Sequence, residues 1–440
     1  MKSNENKNNI ETKNNLNRTL VFEKLSESDY DTFQKDHKYG NFLNSIKALR
    51  LKEKRGWKVD YYGVRDTRNG QLLSALSLSS IPIMKLYRYV VSERGFLIDY
   101  SESNLQVFNF LITELKRHLK KINCLYYHIN PYVPYQEHDK DGNIVEDGFN
   151  NQKIVNLLKN VGFIHRGFTT ENSQTYQSRW MFVLSLKDKT KDDILANMHQ
   201  QTRWSINKTI REGISIREIN IDEIEVFNQI MEHTSHRRNF HNNGSDYYRL
   251  FLETYGDSAK LLLAYLDVEK HVEKIQLEKN SALQELEVAE TKLVQTPNNK
   301  KLKNRINALK ESISVNDRKI DKANKLKETN GNEIPLAASI FIMSNNEVTY
   351  LFSGAYDEYK SYNAPYALQW YMIQYALDHG YERYNFYGTS GNFNKDAEDY
   401  GVYEFKKGFD GQVEELIGDF FLPIKKNVFK IYKRIKPNQF

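Results

Sequence analysis

With a single cysteine in 440 residues, the chain can form no internal disulfide and no Cys-x-x-Cys metal site. That residue, Cys124, lies in the apolar run CLYYHI and reads as part of a core kept in a reducing compartment. No stretch approaches the ~18 consecutive apolar residues that cross a bilayer. The first eighteen residues, MKSNENKNNIETKNNLNR, lack the apolar segment of a signal peptide, and their Asn- and Lys-rich composition predicts a disordered N-terminus. A Walker lysine loop, a GxGxxG turn and an HExxH pair are all absent. The eleven histidines gather only at His233, His236 and His241, where polar spacing suits a solvated loop, so no metal is expected. Together these absences predict a cytoplasmic protein whose contact with a membrane is at most peripheral.

What is present supports substantial cores. Hydrophobic residues make up 40% of the chain and aromatic residues 13%, with 29 tyrosines. A length of 440 residues exceeds what one core usually serves, so two domains and an appendage are expected. The net charge of +6 admits a polyanionic partner such as tRNA, a nucleotide-linked substrate or an anionic lipid surface, and selects none of them.

From Leu20 the pattern is mixed α and β. Residues near Tyr30 to Trp57 read as helical, Val59 to Val64 and Gln71 to Ile81 as strands, and Tyr87 to Ile98 as a strand pair holding Arg94-Gly95. Asn104 to Lys121 is an amphipathic helix with Leu105, Phe108, Leu111, Ile112, Leu115 and Leu119 on one side, followed by a strand from Leu125 to Ile129. A second round follows: a strand from Met181 to Leu186, a long basic helical stretch from Lys191 to Gly213, a strand from Ile214 to Ile219 and a helix from Ile221 to Thr234. Strands at Leu261 to Val268 and Leu336 to Phe352 bracket an insertion, and a helix runs from Tyr366 to His379. This predicts an α/β (α+β) protein with tandem domains at 19–170 and 171–425 and a basic tail at 426–440.

The insertion, 268–327, carries two heptad seams. Val268, Val272, Ile275, Lys279, Ala282, Leu286, Ala289 and Leu293 alternate spacings of four and three, as do Leu302, Ile306, Leu309, Ile313, Asn316, Ile320 and Ala323. Thr296-Pro297-Asn298-Asn299 separates them, so an antiparallel coiled-coil arm is expected, projecting roughly 40 Å at ~1.5 Å per residue. Lys300, Lys301, Lys303 and Arg305 place positive charge near its tip, either a solvated face or a tRNA contact.

The densest stretch is Tyr381 to Phe409, YERYNFYGTSGNFNKDAEDYGVYEFKKGF. Tyr384, Phe386, Tyr403 and Phe405 alternate as on two strands, with a polar loop from Asn392 to Tyr400 between them. Lys406 then sits beside a strand end, as a solvated surface lysine or as a fixed positive charge facing a cleft.

At this stretch the chain resembles a known family. RYNFYGTSGNF, EDYGVYEFKKGF and EELIGDFFLPI, together with SERGFLIDYS, CLYYHINPYVPYQ, SQTYQSRWMFVLSLKDKT and APYALQWYMIQYALDHG, are similar to the FemABX aminoacyl-tRNA-dependent peptidyltransferases, most of all to the FemA and FemB branch. The resemblance spans about residues 20 to 425 and includes the arm. It implies two tandem GNAT-like acyltransferase domains. It implies transfer of glycine, or in related members alanine or serine, from its tRNA to the interpeptide bridge of a peptidoglycan precursor. The acceptor implied is lipid II, met at the inner face of the cell membrane. No cofactor is implied beyond the aminoacyl-tRNA co-substrate, glycyl-tRNA first. A homodimer or association with related family members stays open, as does a serine-inserting immunity factor of the same family.

The same resemblance assigns roles to residues. Lys406 aligns with the lysine of an aromatic-x-Phe-Lys motif and would stabilise the developing oxyanion, with the Phe405 carbonyl helping to hold the attacking amine. Asp396, Glu398 and Asp399 are candidates to receive the proton. Lys52, five residues before Trp57, would meet the precursor's phosphates, and Tyr247 would contact substrate. Arg94 and Arg179 lie in family-like contexts that suit buried structural arginines equally well. Three departures weaken recognition of a free nucleotide precursor: Asn243 stands where some members carry arginine, Phe352 replaces a pocket tyrosine, and Asn130 replaces an acid before Pro131. Arg237 or Arg238 could substitute. A CoA-dependent acetyltransferase of the same fold is disfavoured, because no glycine here has Arg or Gln three positions before it. A noncatalytic coiled-coil scaffold would leave the aromatic stretch unexplained.

Overall fold

The computed structural model describes residues 19–170 and 177–437. The expected disordered segment 1–18 and the SQTY part of one motif lie outside the described residues. The first half runs β1 (Leu20–Lys24), α1 (Glu27–Asp36), α2 (Ile46–Lys54), β2 (Lys58–Asp66), β3 (Leu72–Ile83), β4 (Tyr87–Arg94), β5 (Leu97–Ile98), α3 (Leu105–Lys121), β6 (Cys124–Pro131), β7 (Pro134–Glu137), α4 (Gln152–Asn160) and β8 (Ile164–His165). The second opens with β9 (Trp180–Ser185), α5 (Lys191–Asn197), α6 (Gln200–Glu212), β10 (Ile214–Glu218), α7 (Ile224–Arg238), α8 (Ser245–Tyr255) and β11 (Ala259–Asp267). After the arm helices α9 (Val268–Gln295) and α10 (Lys300–Asn330) come β12 (Glu333–Ser344), β13 (Glu347–Ala355), α11 (Ala364–Asp378), β14 (Arg383–Thr389), α12 (Tyr400–Lys407), β15 (Gln412–Leu416), β16 (Phe420–Pro423) and α13 (Lys426–Ile435).

Two mixed sheets repeat one plan. In the first, β1 to β4 are antiparallel neighbours, and α3 carries the chain to β6, parallel to β4. In the second, β10 to β13 are antiparallel, and α11 carries the chain to β14, parallel to β13. In each sheet one face of the crossover helix is buried: Val107, Phe108, Leu111, Leu115 and Leu119 on α3, and Leu368, Met372, Ile373 and Ala376 on α11. Cys124 is fully buried at the start of β6, as the sequence predicts.

The sheets do not respect a cut in chain order, which corrects the boundary at 170/171. β7 pairs with β15 at the edge of the second sheet, and β16 pairs with both β6 and β8 in the first. The C-terminal signature therefore belongs to both units: Val413 packs in the second core, while Ile417, Phe420 and Leu422 complete the first.

Two further expectations are corrected. Tyr403, Phe405 and Lys406 lie on a helix, α12, and not on a strand. The buried pair Tyr403 and Lys406 has the i, i+3 spacing of one helix face, and a segment this short fits either period. The basic stretch from Lys191 is two helices, broken where Met198 takes an extended conformation with its side chain in the core.

The arm forms the expected antiparallel hairpin. Asp267 and Asn299 cap its two helices by accepting from Lys270 N and Leu302 N at 3.2 and 3.1 Å. Ile275 and Ala289 on α9, with Ile306, Leu309, Asn316 and Ala323 on α10, are buried at the seam. Among the described residues no helix is long and apolar enough to cross a membrane.

The strand exchange makes one prediction. Phe420 is fully buried in the first core although it follows the whole second sheet. Phe420→Ala should cost ~3–5 kcal/mol in urea unfolding, with tyrosine and tryptophan signals from both units lost in one shared transition.

Candidate active site

In the second sheet the parallel strands β13 and β14 pair at only three positions, Glu347–Arg383, Val348–Tyr384 and Thr349–Asn385, before separating. In the first sheet β4 and β6 stay paired from Arg88–Cys124 to Arg94–Pro131, with one register shift between Arg88 and Tyr89. Among the described residues a crevice between parallel strands thus opens in the second unit.

The separation coincides with a bulge. The register of β14 against β9 shifts between Asn385 and Gly388, and Tyr387 takes a left-handed backbone conformation with φ of 60°. Such a conformation is unfavourable for a bulky side chain and persists only where the surroundings enforce it. Asn385 is one enforcing group: its Oδ1 accepts from Tyr387 N at 2.8 Å, and its Nδ2 donates to Glu347 at 3.1 Å. Gly388 is another, since a Cβ there would sit 2.2 Å from Ser178 Oγ. The Tyr387 and Gly388 carbonyls both accept from Lys406 Nζ, the former at 3.2 Å.

Lys406 is 5% exposed and is held by carbonyls, not by a carboxylate. Burial lowers its ammonium to a pKa of about 7, against a smaller raising effect of Asp399. Asp399 is occupied with the loop: it accepts from Ser390 N at 2.9 Å and from Ser390 Oγ at 2.7 Å. Asp396 and Glu398 are exposed on that loop. The Phe405 ring packs on Tyr366 and Phe409, with centroids 4.8 and 5.4 Å away. In the turn that follows, Gly408 N bonds to Glu404, Phe409 N to Lys406 and Asp410 N to Lys407, so these three donors bypass the Phe405 carbonyl. α6 closes this end, with His199 N donating to the Gly408 carbonyl at 2.9 Å.

The expected substrate residues fall mostly in one neighbourhood between the units. Lys52 pairs with Glu93 at 3.1 Å and lies over the Trp57 ring at 4.9 Å. Burial raises the Tyr247 phenol, Arg55 opposes this from over its ring, and Glu93 adds to the rise. Phe352 meets Tyr247, Tyr248 and Phe251 edge-on at 6.3, 5.5 and 5.6 Å. Arg94 is buried and donates to the Ser178 carbonyl at 2.8 Å, while Asn130 accepts from its backbone N–H at 2.8 Å. Asn130, in place of an acid, is therefore structural. Asn243 is exposed and lies beside Tyr248, at the edge of this cluster. Arg237 is engaged by Asp357 at 3.0 Å. Arg179 is locked to the buried Glu415, which also holds His138 Nε2 at 2.6 Å, so its setting is structural. The arm-tip lysines Lys300, Lys301 and Lys303 are exposed, whereas Arg305 forks onto Glu285 at 2.6 and 2.7 Å. The expected solvated histidine loop is corrected: His233 and His236 lie on α7, and only His241 follows it.

Tyr387 links the two neighbourhoods, and sequence reasoning missed it. Its carbonyl faces Lys406, its hydroxyl donates to Gln177 at 2.8 Å, its ring meets Phe42 at 5.8 Å, and Arg94 acts on its phenol. Asn385, Glu347 and Glu93 were missed as well. The one available signal was a small polar residue, Asn385, inside the otherwise aromatic RYNFYG.

The mixed sheet repeated in the two units makes a tandem GNAT-like fold, with a buried ammonium where the parallel strands of the second unit part. The chain belongs to the FemAB family, whose model matches residues 25–437. It is 34% identical over 417 residues, 95% of this chain and 98% of the relative, to the aminoacyltransferase FemA of Staphylococcus aureus strain bovine RF122 / ET3-1. The FemA of strain N315 matches with the same identity and coverage. A crystal structure of FemX superposes with a TM-score of 0.77 at 24% identity, covering 93% of this chain and 99% of that one.

The buried lysine predicts a stability that depends on pH. A lowered lysine pKa destabilises the fold fully below about pH 7, and the penalty fades as pH rises to the unfolded value of 10.5. The shift corresponds to ~4 kcal/mol near neutrality, opposed in a variant without the lysine by ~1–3 kcal/mol for each of the two carbonyls left without a donor. Urea unfolding should therefore show Lys406→Met losing ground to the parent steadily from about pH 7 to 10.5 and being the less stable of the two at the upper end.

Proposed function

We propose that this protein is the aminoacyltransferase of a peptidoglycan interpeptide bridge, moving an aminoacyl group from its tRNA ester to the bridge's terminal amine on a lipid-linked precursor. Glycyl-tRNA is the donor and lipid II the acceptor, met at the inner face of the cell membrane. The observation that carries this reading is the Lys406 ammonium, buried without a carboxylate partner where β13 and β14 part, in a chain of the FemAB family.

The neutral amine attacks the ester carbonyl, and negative charge grows on the carbonyl oxygen. Lys406 Nζ meets that charge, and its burial strengthens the interaction. The Phe405 carbonyl accepts from the attacking amine and orients it. The amine's proton passes to the departing ribose oxygen, so no buried base is required. Lys52 receives the precursor's pyrophosphate by exchanging Glu93 for it, and Tyr247 and Phe352 line the way to Tyr387. The exposed lysines of the arm tip contact the tRNA.

Labelled glycyl-tRNA and seryl-tRNA, each offered with lipid II bearing zero, one or three glycines, test the reading. Transfer of glycine to one acceptor is expected, and no transfer to any would overturn it. Lys406→Ala should lower kcat by ~10²–10³ without unfolding the protein. The parent should show a bell-shaped pH profile: attack needs an amine deprotonated above ~7.8, while Lys406 loses its charge above about 7. Lys406→Arg keeps its charge, so whatever rate it retains should rise with pH and show no descending limb. Replacing Val272 to Ile320 by a short linker should keep the fold and raise KM for charged tRNA; an unchanged KM would remove the arm from tRNA binding.

A further inference from the structure

The C-terminal helix α13, KNVFKIYKRI, is two-faced, and its buried face is accounted for. Val428, Phe429 and Tyr432 pack on Tyr126 and Phe421 of the first sheet, beside Ile83 and Tyr87 at the base of the β3–β4 hairpin. The outer face is not explained by folding. Ile431 and Ile435, one turn apart, are 56% and 61% exposed. The adjoining hairpin tip adds Met84 and Leu86, 45% and 73% exposed. Around them stand Lys425, Lys426, Lys430, Lys433, Arg434 and Lys436, with no acidic residue from 425 to 436.

A third element extends the same surface. The hairpin tip is tied to the end of α3: Asn123 Nδ2 donates to the Leu86 carbonyl, and Arg88 N donates to the Asn123 carbonyl at 3.2 Å. Lys120 and Lys426 lie near enough to Lys116 to add to the lowering that burial imposes on it. Three segments distant in sequence thus present cations and protruding aliphatic side chains together.

We propose that α13 and the β3–β4 hairpin tip form a docking surface for an anionic phospholipid bilayer, with Leu86, Met84, Ile431 and Ile435 entering the headgroup layer and the surrounding cations meeting lipid phosphates. An RNA backbone would use the cations and leave four exposed aliphatic side chains without a role. A basic amphipathic helix with apolar side chains on its rim gains from both parts of an interface. The surface deepens the lipid-linked acceptor reading and rests on it only for which molecule is reached there.

The test uses the full chain and vesicles without substrate. Sedimentation with phosphatidylglycerol–phosphatidylcholine vesicles should carry the protein down, and pure phosphatidylcholine should carry at least tenfold less. Leu86→Asp combined with Ile435→Asp, both at exposed positions, should lower the bound fraction at least tenfold while transfer to a water-soluble peptide acceptor stays at the parent rate. Equal binding to both vesicle types, or full binding by the double variant, would overturn the proposal. Displacement of the parent from vesicles by excess tRNA, with weaker tRNA binding by Lys430→Glu/Arg434→Glu, would assign the surface to RNA and also overturn it. Loss of transfer to the soluble acceptor in the parent would count against the catalytic reading alone.

Discussion

A lysine ammonium buried against two main-chain carbonyls, with no carboxylate to neutralise it, is the constraint on which the site depends. Placing Nζ of Lys406 there requires the carbonyls of Tyr387 and Gly388 to turn out of the ladder of β14, and that requires the bulge. The bulge in turn requires a left-handed Tyr387, held by Asn385, which is held by Glu347, which is held by Arg383 at 3.1 Å and by Tyr132 at 3.2 Å. Tyr132 comes from the segment joining β6 and β7. The geometry behind the lysine therefore draws on both units.

This dependence explains why the units exchange strands. β7 leaves the first unit to edge the second sheet, and β16 returns to the first. Between them β15 carries Glu414, which accepts two bonds of 2.9 Å from Arg383, and Glu415, which locks Arg179. The exchange fixes the interface as firmly as a core, so Tyr387 can use Phe42 and Arg94 of the first unit as a wall. Relative motion of the units would open the site, and the crossed connections oppose it.

Periodic features were legible in the sequence, and single-residue geometry was not. The arm declared itself because seven-residue spacing over two long runs has few other readings, and the crossover helices α3 and α11 did so through their apolar stripes. α12 was misread because Tyr403 and Phe405 alternate over too few residues to separate a strand from a helix face. The strand exchange was illegible because β7 and β16 are four residues each and pair with strands far away in sequence. Lys406 was legible by resemblance alone: nothing in KKG distinguishes a buried lysine from the neighbouring Lys407, which pairs with Asp141. Burial is a property of the fold around it.

The two lysines assigned to substrate illustrate opposite uses of charge. Lys52 has Glu93 as partner and Trp57 beneath it, and it remains partly open to solvent. Exchanging one anion for another there costs little, because the ion pair in place already offsets the desolvation of the site. That suits binding, where the incoming phosphate is charged from the outset. Lys406 has no anion to give up, and burial has already weakened its hold on a proton. A full negative charge would bind it tightly, yet the ester arrives neutral. In the proposed reaction, only as the carbonyl oxygen gains charge would the ammonium find the counterion whose absence the folded protein tolerates. Interaction that exists in the transition state and not in the ground state is what accelerates a chemical step. A carboxylate placed beside Lys406 would stabilise the protein and remove that difference.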